Sequence, residues 1–182
     1  NYNNSTSSGA AGGAIKYMNN TSAVPVANIK NSYFTENHRS STGSNTVEGG
    51  AIWSQQSNGT LVIDDSIFTK NYAQHTPTSS SSNFAKGGAI ANTSGALKIS
   101  NSYFGNNYVK GSSAQSGAIY AGSSTSAPND DTIYHTIDKT VFEKNSAIAE
   151  RSGANAGAFS SSNNTKITNS LFLSNSAVLD LK

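Results

Sequence analysis

The sequence predicts an all-β protein, a right-handed parallel β-helix (solenoid) of about five coils, and three observations lead to this prediction. One pattern, I-x-x-[S/T]-x-F-x-x-N, occurs five times; a second, GGAI or a close variant, alternates with it; and only the segments between them vary in length. Both patterns have the period of two and the β-branched and aromatic residues of strands, bounded by Gly, Asn and Ser. Such a unit cannot bury its own apolar face, whereas stacked copies can.

The first pattern predicts two interior columns, because equivalent residues of successive coils stack on one another. Its copies read IKNSYFTEN, IDDSIFTKN, ISNSYFGNN, IDKTVFEKN and ITNSLFLSN. One column consists of Ile29, Ile63, Ile99, Ile137 and Ile167. The other consists of Phe34, Phe68, Phe104, Phe142 and Phe172. Right-handedness is expected because parallel crossovers are almost always right-handed, and the section is expected to be triangular.

Two small or polar positions recur with the same regularity. The glycine before each Ala-Ile or Ala-Phe allows either a positive φ or a close approach of two backbones; these are Gly13, Gly50, Gly88, Gly117 and Gly157. The asparagine that ends the first pattern tolerates left-handed geometry, and its amide can both donate and accept along a stack. We expect a ladder of Asn37, Asn71, Asn107, Asn145 and Asn175.

Composition excludes several classes of function. Only 12% of the 182 residues are charged and the net charge is +2, with lysines and arginines scattered singly, so we expect no nucleic-acid partner. Cysteine is absent, which rules out disulfides and thiolate metal sites, and no cofactor motif is found. No apolar run is long enough to cross a bilayer. Residues 1–182 are expected to be a single β-helix segment cut from a longer surface protein.

The alternating motifs resemble a known family. GGAI at 49–52 followed by FTKN at 68–71 is similar to the repeats of the chlamydial polymorphic outer membrane proteins, and also to adhesin-like surface proteins of methanogenic archaea. The resemblance covers roughly residues 12–178. It implies a β-helix passenger displayed on the cell surface, as in autotransporters, and a role in adhesion to host cells. The chain departs from the pattern at Ser116 and Ala156, which replace the first glycine, and no C-terminal barrel is expected within these 182 residues.

Acidic and imidazole side chains are the candidates for catalytic or metal sites. Asp64 and Asp65 could serve a polysaccharide lyase or hydrolase, but their equivalents in other repeats include lysine, and neighbouring strand residues point to opposite faces. Asp130 and Asp131 lack calcium-loop spacing and are interpreted as a solvated turn. The three histidines, at 38, 75 and 135, are interpreted as surface residues. We expect no catalytic residue and no metal site.

One outer row is a candidate binding surface. If Ser and Phe of S-x-F face inward, the residue between them faces outward; these residues are Tyr33, Ile67, Tyr103, Val141 and Leu171. The row is either an exposed partner site, or a face covered by a loop, or a reflection of β-propensity. Trp53 and Tyr120, each directly after GAI, would extend an aromatic surface on another face.

The sequence therefore favours a cell-surface adhesin module that is not an enzyme. Its outer faces and loops would attach to a receptor or glycan on a host or neighbouring cell, and open ends would allow end-to-end self-association. Two alternatives remain at this point, a passive stalk of a surface protein and a polysaccharide lyase or hydrolase of β-helix type.

Overall fold

The computed structural model is all-β, which confirms the predicted fold class. It describes residues 1–4, 12–19, 24–43, 45–76, 83–122 and 134–181, with the side chains of 2–4 excepted. These residues form 23 strands and no helix. Every strand pairing is parallel, and equivalent residues of successive repeats face one another in register.

The strands follow the order of the repeats along the chain. A single strand, β1 (Tyr2–Asn4), precedes the first coil, which contains β2 (Ile15–Asn19), β3 (Val26–Lys30), β4 (Tyr33–Thr35) and β5 (His38–Ser41). The second coil contains β6 (Val47–Glu48), β7 (Ile52–Asp64), β8 (Ile67–Thr69) and β9 (Tyr72–His75). The third contains β10 (Phe84–Lys86), β11 (Ile90–Ser100), β12 (Tyr103–Gly105) and β13 (Tyr108–Gly111). The fourth contains β14 (Ser113–Gln115), β15 (Ile119–Ala121), β16 (His135–Asp138), β17 (Val141–Glu143) and β18 (Ser146–Ala149). The fifth contains β19 (Ala154–Asn155), β20 (Phe159–Ser161), β21 (Thr165–Thr168), β22 (Leu171–Leu173) and β23 (Ser176–Leu179).

These strands stack into four sheets, where a triangular section would have three. The six-stranded sheet has the order β1-β5-β9-β13-β18-β23, the four-stranded sheet β19-β14-β10-β6, and the five-stranded sheet β22-β17-β12-β8-β4. The eight-stranded sheet contains β2, β3, β7, β11, β15, β16, β20 and β21. The second to fourth coils have neighbours on both sides in the five-, six- and eight-stranded sheets, so the enclosed solenoid is about three turns, fewer than the five expected.

The Phe column forms the centre of the core. Successive rings from Phe34 to Phe172 stack nearly parallel, with centroid distances of 4.6, 4.8, 5.1 and 4.7 Å. The three middle rings are fully buried, whereas Phe172 in the last coil is 43% exposed. Ile63, Ile99 and Ile137 pack in the same cluster. The spacing equals the distance between parallel strands, so ring stacking and backbone pairing share one repeat.

The asparagines form a continuous hydrogen-bonded ladder beside this column. The Oδ1 of Asn107 accepts both the backbone N–H (2.9 Å) and the Nδ2 (3.0 Å) of Asn71. The Nδ2 of Asn107 donates to Oδ1 of Asn145 and to the carbonyl of Phe68. The same bonds join the other rungs, and Asn1 adds a further member because its Nδ2 donates to Asn37. The ladder thereby satisfies buried backbone groups at the corner.

Among the described residues, left-handed backbone recurs at three equivalent positions of every coil, and none of these positions is a ladder asparagine. The first set precedes the asparagine and has φ of 51–56°: Glu36, Lys70, Asn106, Lys144 and Ser174. The second set follows the isoleucine strand, with φ of 47–49°: Asn31, Asp65, Asn101, Lys139 and Asn169. The third set, with φ of 52–70°, is the first residue of the glycine motif: Gly12, Gly49, Gly87, Ser116 and Ala156.

The second glycine of each motif is required for close backbone approach instead of positive φ. A Cβ at Gly88 would overlap the carbonyl oxygen of Gly117 in the next coil and the backbone of Tyr108. The equivalent glycines at 13, 50, 117 and 157 are similarly crowded by backbone atoms. The two backbones therefore meet where a side chain has no space.

Replacing Asn107 by Ala should lower the free energy of unfolding by roughly 3–5 kcal/mol, because the buried Asn71 backbone N–H loses its acceptor, and the Asn71 side-chain amide and the Phe68 carbonyl each lose a hydrogen bond. Urea unfolding followed by circular dichroism measures the change. The matched control is Asn106→Gly, at an exposed left-handed position, which should change the value by less than about 0.5 kcal/mol. Equal effects of the two substitutions would contradict the ladder's role.

The two glycines of one motif should differ sharply in tolerance. A Cβ at Gly87 would approach the carbonyl oxygen of Ile90 in its own coil, but Ser116 and Ala156 hold the equivalent left-handed corner with a side chain. The corner can therefore shift, and Gly87→Ala should cost only about 1–2 kcal/mol. Gly88→Ala should cost more than about 3 kcal/mol, because its Cβ would meet the backbone of the next coil and of Tyr108, and every repeat has glycine at this position. Thermal and urea unfolding of both variants test this, and a mild effect at Gly88 would rule out the close approach.

Candidate functional site

The predicted outer row is accessible to solvent in the five-stranded sheet. We call it the outer stripe: Tyr33, Ile67, Tyr103, Val141 and Leu171, which lie in register one above another. Tyr33 is 78% exposed and Leu171 is 50% exposed, while the three middle side chains are half-buried. Over four strand spacings the stripe is about 19 Å long.

Tyr103 is fixed within this stripe by its neighbours. Its ring lies over Gly105, where any Cβ would collide with it, and its hydroxyl donates to Oε2 of Glu143 at 2.9 Å. Burial, followed by the bond to Glu143, raises the pKa of Tyr103, and the same bond lowers the pKa of Glu143. The ring is thus held flat on the sheet, which reduces the entropy that a partner would have to remove.

Trp53 and Tyr120 lie on the eight-stranded sheet and are engaged by charged side chains. Trp53 Nε1 donates to Oε2 of Glu48 at 2.9 Å, and Lys16 Nζ lies 5.4 Å from the Trp53 ring centre. Lys86 Nζ lies 4.7 Å from the Tyr120 ring centre and 3.5 Å from Glu48 Oε1. The contacts of Glu48 and Lys86 join the four- and eight-stranded sheets, and the two lysines occupy ring faces that a ligand would need.

A second row of aromatic rings is absent from the sequence-based predictions. His38, Tyr72 and Tyr108 stack on the outer face of the six-stranded sheet, with centroid distances of 4.5 and 4.7 Å. We call them the aromatic column. Burial, together with the neighbouring Tyr72, raises the pKa of Tyr108. The signal is present in the repeat, because each ring directly follows a ladder asparagine.

The doubled aspartate does not form an acid/base pair. Asp64 accepts hydrogen bonds from Ser100 Oγ at 2.6 Å and Asn101 Nδ2 at 3.1 Å, which lower its pKa, and lies 3.6 Å from Lys30 Nζ. Asp65 is one of the left-handed corner residues. Asp138 has the same arrangement two coils later, with bonds from the threonine and asparagine of the fifth coil. Asp130 and Asp131 lie outside the described residues.

The prediction that all three histidines are surface residues is wrong for two of them. His38 is partly exposed in the aromatic column, but His75 and His135 are buried. His75 Nε2 lies 2.6 Å from the carbonyl of Gly43. His135 Nδ1 accepts the backbone N–H of Leu97 at 3.1 Å, so the neutral ring carries its proton on Nε2. Both side chains occupy inward-facing positions of strands. Because histidine is a polar residue, the sequence alone did not indicate this burial.

Acid should destabilise the fold through His135. Burial lowers the pKa of His135 to about 4, opposed by the backbone of Gly122. Because the unfolded chain binds the proton near pH 6.5, this contribution is complete above that pH and is lost as the pH falls toward 4, by up to about 3 kcal/mol. Urea unfolding across this range should show a steeper decline for the wild type than for His135→Gln. His38→Gln is the surface control, and parallel curves for wild type and His135→Gln would contradict the assignment.

Comparisons with known proteins identify no relative of the chain. No family model, curated protein or solved structure matches the chain. Within the described ranges, no group of acidic, histidine or cysteine side chains could hold a metal ion, and no helix could span a membrane. A solenoid fold by itself is compatible with adhesion, with a spacer role and with catalysis.

Proposed function

We propose that the chain is a cell-surface adhesion module that binds a receptor or glycoconjugate of a host or neighbouring cell. The observation that carries the proposal is the outer stripe, whose side chains lie on a rigid sheet and remain accessible to solvent. Single exposed apolar residues are common on protein surfaces, whereas a continuous row is typical of interaction sites. The stripe is therefore the surface on which we place binding.

Two further features support this function. The resemblance of the GGAI and FxxN repeats to surface adhesins favours display on a cell surface. The surface chemistry also favours an uncharged partner, because only 12% of residues are charged and several of the charged side chains are paired with each other. A partner that presents hydroxyl and apolar groups would meet matching chemistry here.

The passive stalk is the second candidate, and the internal ladders favour it. Phe rings and asparagines run unbroken through all the coils, which gives a stiff rod whatever its outer residues do. A stalk, however, needs no accessible apolar row. The two functions thus differ in whether the outer stripe matters.

Catalysis is less well supported by the geometry. A lyase or hydrolase needs a carboxylate or another base that exchanges protons with its substrate. Asp64 and Asp138 are instead engaged by side chains of the next coil, which hold the pKa of each carboxyl below its usual range. These contacts favour a structural role for both aspartates.

Making the outer stripe polar should weaken binding. The triple variant Ile67→Thr, Val141→Thr and Leu171→Thr places β-branched threonine, which suits strands, at all three positions and removes apolar surface. We expect it to bind cells or arrayed glycans at least about tenfold less tightly than the wild type, measured with labelled protein by flow cytometry and array binding.

The control carries the same substitution on another outer face. Val26→Thr with Val62→Thr changes outward-facing residues of the eight-stranded sheet and should leave binding unchanged. Circular dichroism confirms that each variant keeps its fold. Absence of any binding by intact wild-type protein would favour the stalk, and release of reducing or unsaturated sugar ends would favour an enzyme.

A further inference from the structure

The aromatic column stops within the six-stranded sheet. The residue after the ladder asparagine is His38, Tyr72 and Tyr108 in three successive coils, and then Ser146 and Ser176. The two near-parallel stacks are tilted by only 7° and 9°. One face of the Tyr108 ring is therefore covered by Tyr72, while its other face is directed over two small side chains.

This step leaves room for a ring beside Tyr108, and the serines at 146 and 176 place no second ring on its far side. Strand pairing places Ser146 one spacing beyond Tyr108, and Ser176 one spacing further. The rings of the column repeat at 4.5 and 4.7 Å. The next ring position would lie above Ser146, and neither serine side chain is large enough to fill it. We call the far face of Tyr108 with these two serines the serine slot.

The floor of the slot carries hydroxyl groups. Ser176 Oγ donates to Ser146 Oγ at 3.1 Å on the exposed surface. The Ser146 hydroxyl retains its own proton, and the Ser176 oxygen retains its acceptor capacity. A ligand in the slot would thus meet an aromatic face on one side and a donor and an acceptor on the floor.

The charges beside the slot are neutralised in pairs. Before Ser146 in the chain, Lys144 Nζ lies 3.3 Å from Oε1 of Glu143. Beyond Tyr108, Lys110 Nζ lies 3.3 Å from Oε1 of Glu150. With each lysine beside a carboxylate, the surroundings give no net attraction to a phosphate or a uronic acid.

We infer that the serine slot binds one uncharged sugar ring of a glycan, its apolar C–H face on Tyr108 and its hydroxyl groups on Ser146 and Ser176. A pyranose ring carries both the apolar C–H face and the hydroxyls that the slot matches. The inference rests on the proposed adhesive function for the choice of a glycan, and it adds a site separate from the outer stripe.

The test uses residues 1–182 and three neutral probes, the methyl β-glycosides of glucose, galactose and N-acetylglucosamine. Titration is followed by proton–nitrogen NMR, and saturable shifts are expected at the amides of Tyr108, Ser146 and Ser176. Tyr108→Ala should weaken binding about three- to tenfold, as expected for loss of one stacking contact. Ser146→Tyr should abolish the shifts at Tyr108, because the new ring covers that ring face, and the face it exposes over Ser176 lacks the second hydroxyl.

Ser146→Tyr keeps the test decisive if Tyr108→Ala fails to fold. Its control is Thr136→Tyr, which adds a ring on the eight-stranded sheet and should bind as the wild type does. No saturable shift with any probe, shifts centred elsewhere, or unchanged binding by Ser146→Tyr would overturn the inference. Tighter binding of p-cresol than of every glycoside would also overturn it, in favour of an aromatic partner.

The two proposals fail separately. Cell binding that depends on the outer stripe, without glycoside shifts at Ser146, would leave the adhesive function standing and remove the serine slot. Glycoside binding at Ser146 by a protein that binds no cell would support the slot and count against the adhesive role of the stripe.

Discussion

The asparagine ladder is the interaction on which the rest of the solenoid depends. A parallel coil leaves backbone groups unpaired wherever the chain turns inward, and burial without partners would be costly. Each ladder oxygen accepts two N–H groups from the preceding coil, and each amide nitrogen reaches both the next asparagine and a Phe carbonyl. Since these bonds form only when equivalent residues face each other, the ladder couples corner geometry to strand register.

The strand register determines which side chains form the core and which form the surface. A one-residue slip in a strand would exchange inward and outward side chains, so the stacked Phe rings and the exposed outer stripe are two faces of one alignment. The aromatic column obeys the same rule on another sheet. Because all surface groups repeat at the strand spacing, substitution of a single residue in one coil creates a local step, as at Ser146, without disturbing the coils beside it.

The sequence was sufficient for the fold class, because its five repeats fix which positions face inward. It was less informative for positions where one coil departs from the others. Arg39 is fully buried in the row that contains Ala73, Val109 and Ala147, and its guanidinium has its pKa lowered by burial. Nothing in the repeat predicts a buried cation there, and the two buried histidines depart from the pattern in the same way.

Corner chemistry was also only partly predictable. The glycine motif indicates either positive φ or close approach, and only coordinates distinguish its first residue, which has the left-handed φ, from its second, which touches the next backbone. For the surface, alternation predicts which residues point outward. It does not predict that Lys86 lies over the ring of Tyr120, because that contact joins two different sheets.

Uniform stacking has a consequence for how such a chain can change length. Each coil presents a phenylalanine and an asparagine to both neighbours, so the contact surface between any two adjacent coils is nearly the same. Gain or loss of one whole repeat would bring equivalent surfaces together and alter the rod by one strand spacing of about 4.8 Å. Recombination between repeats could therefore change the length of the rod in fixed increments. Each added repeat would bring new outer residues onto an unchanged solenoid core.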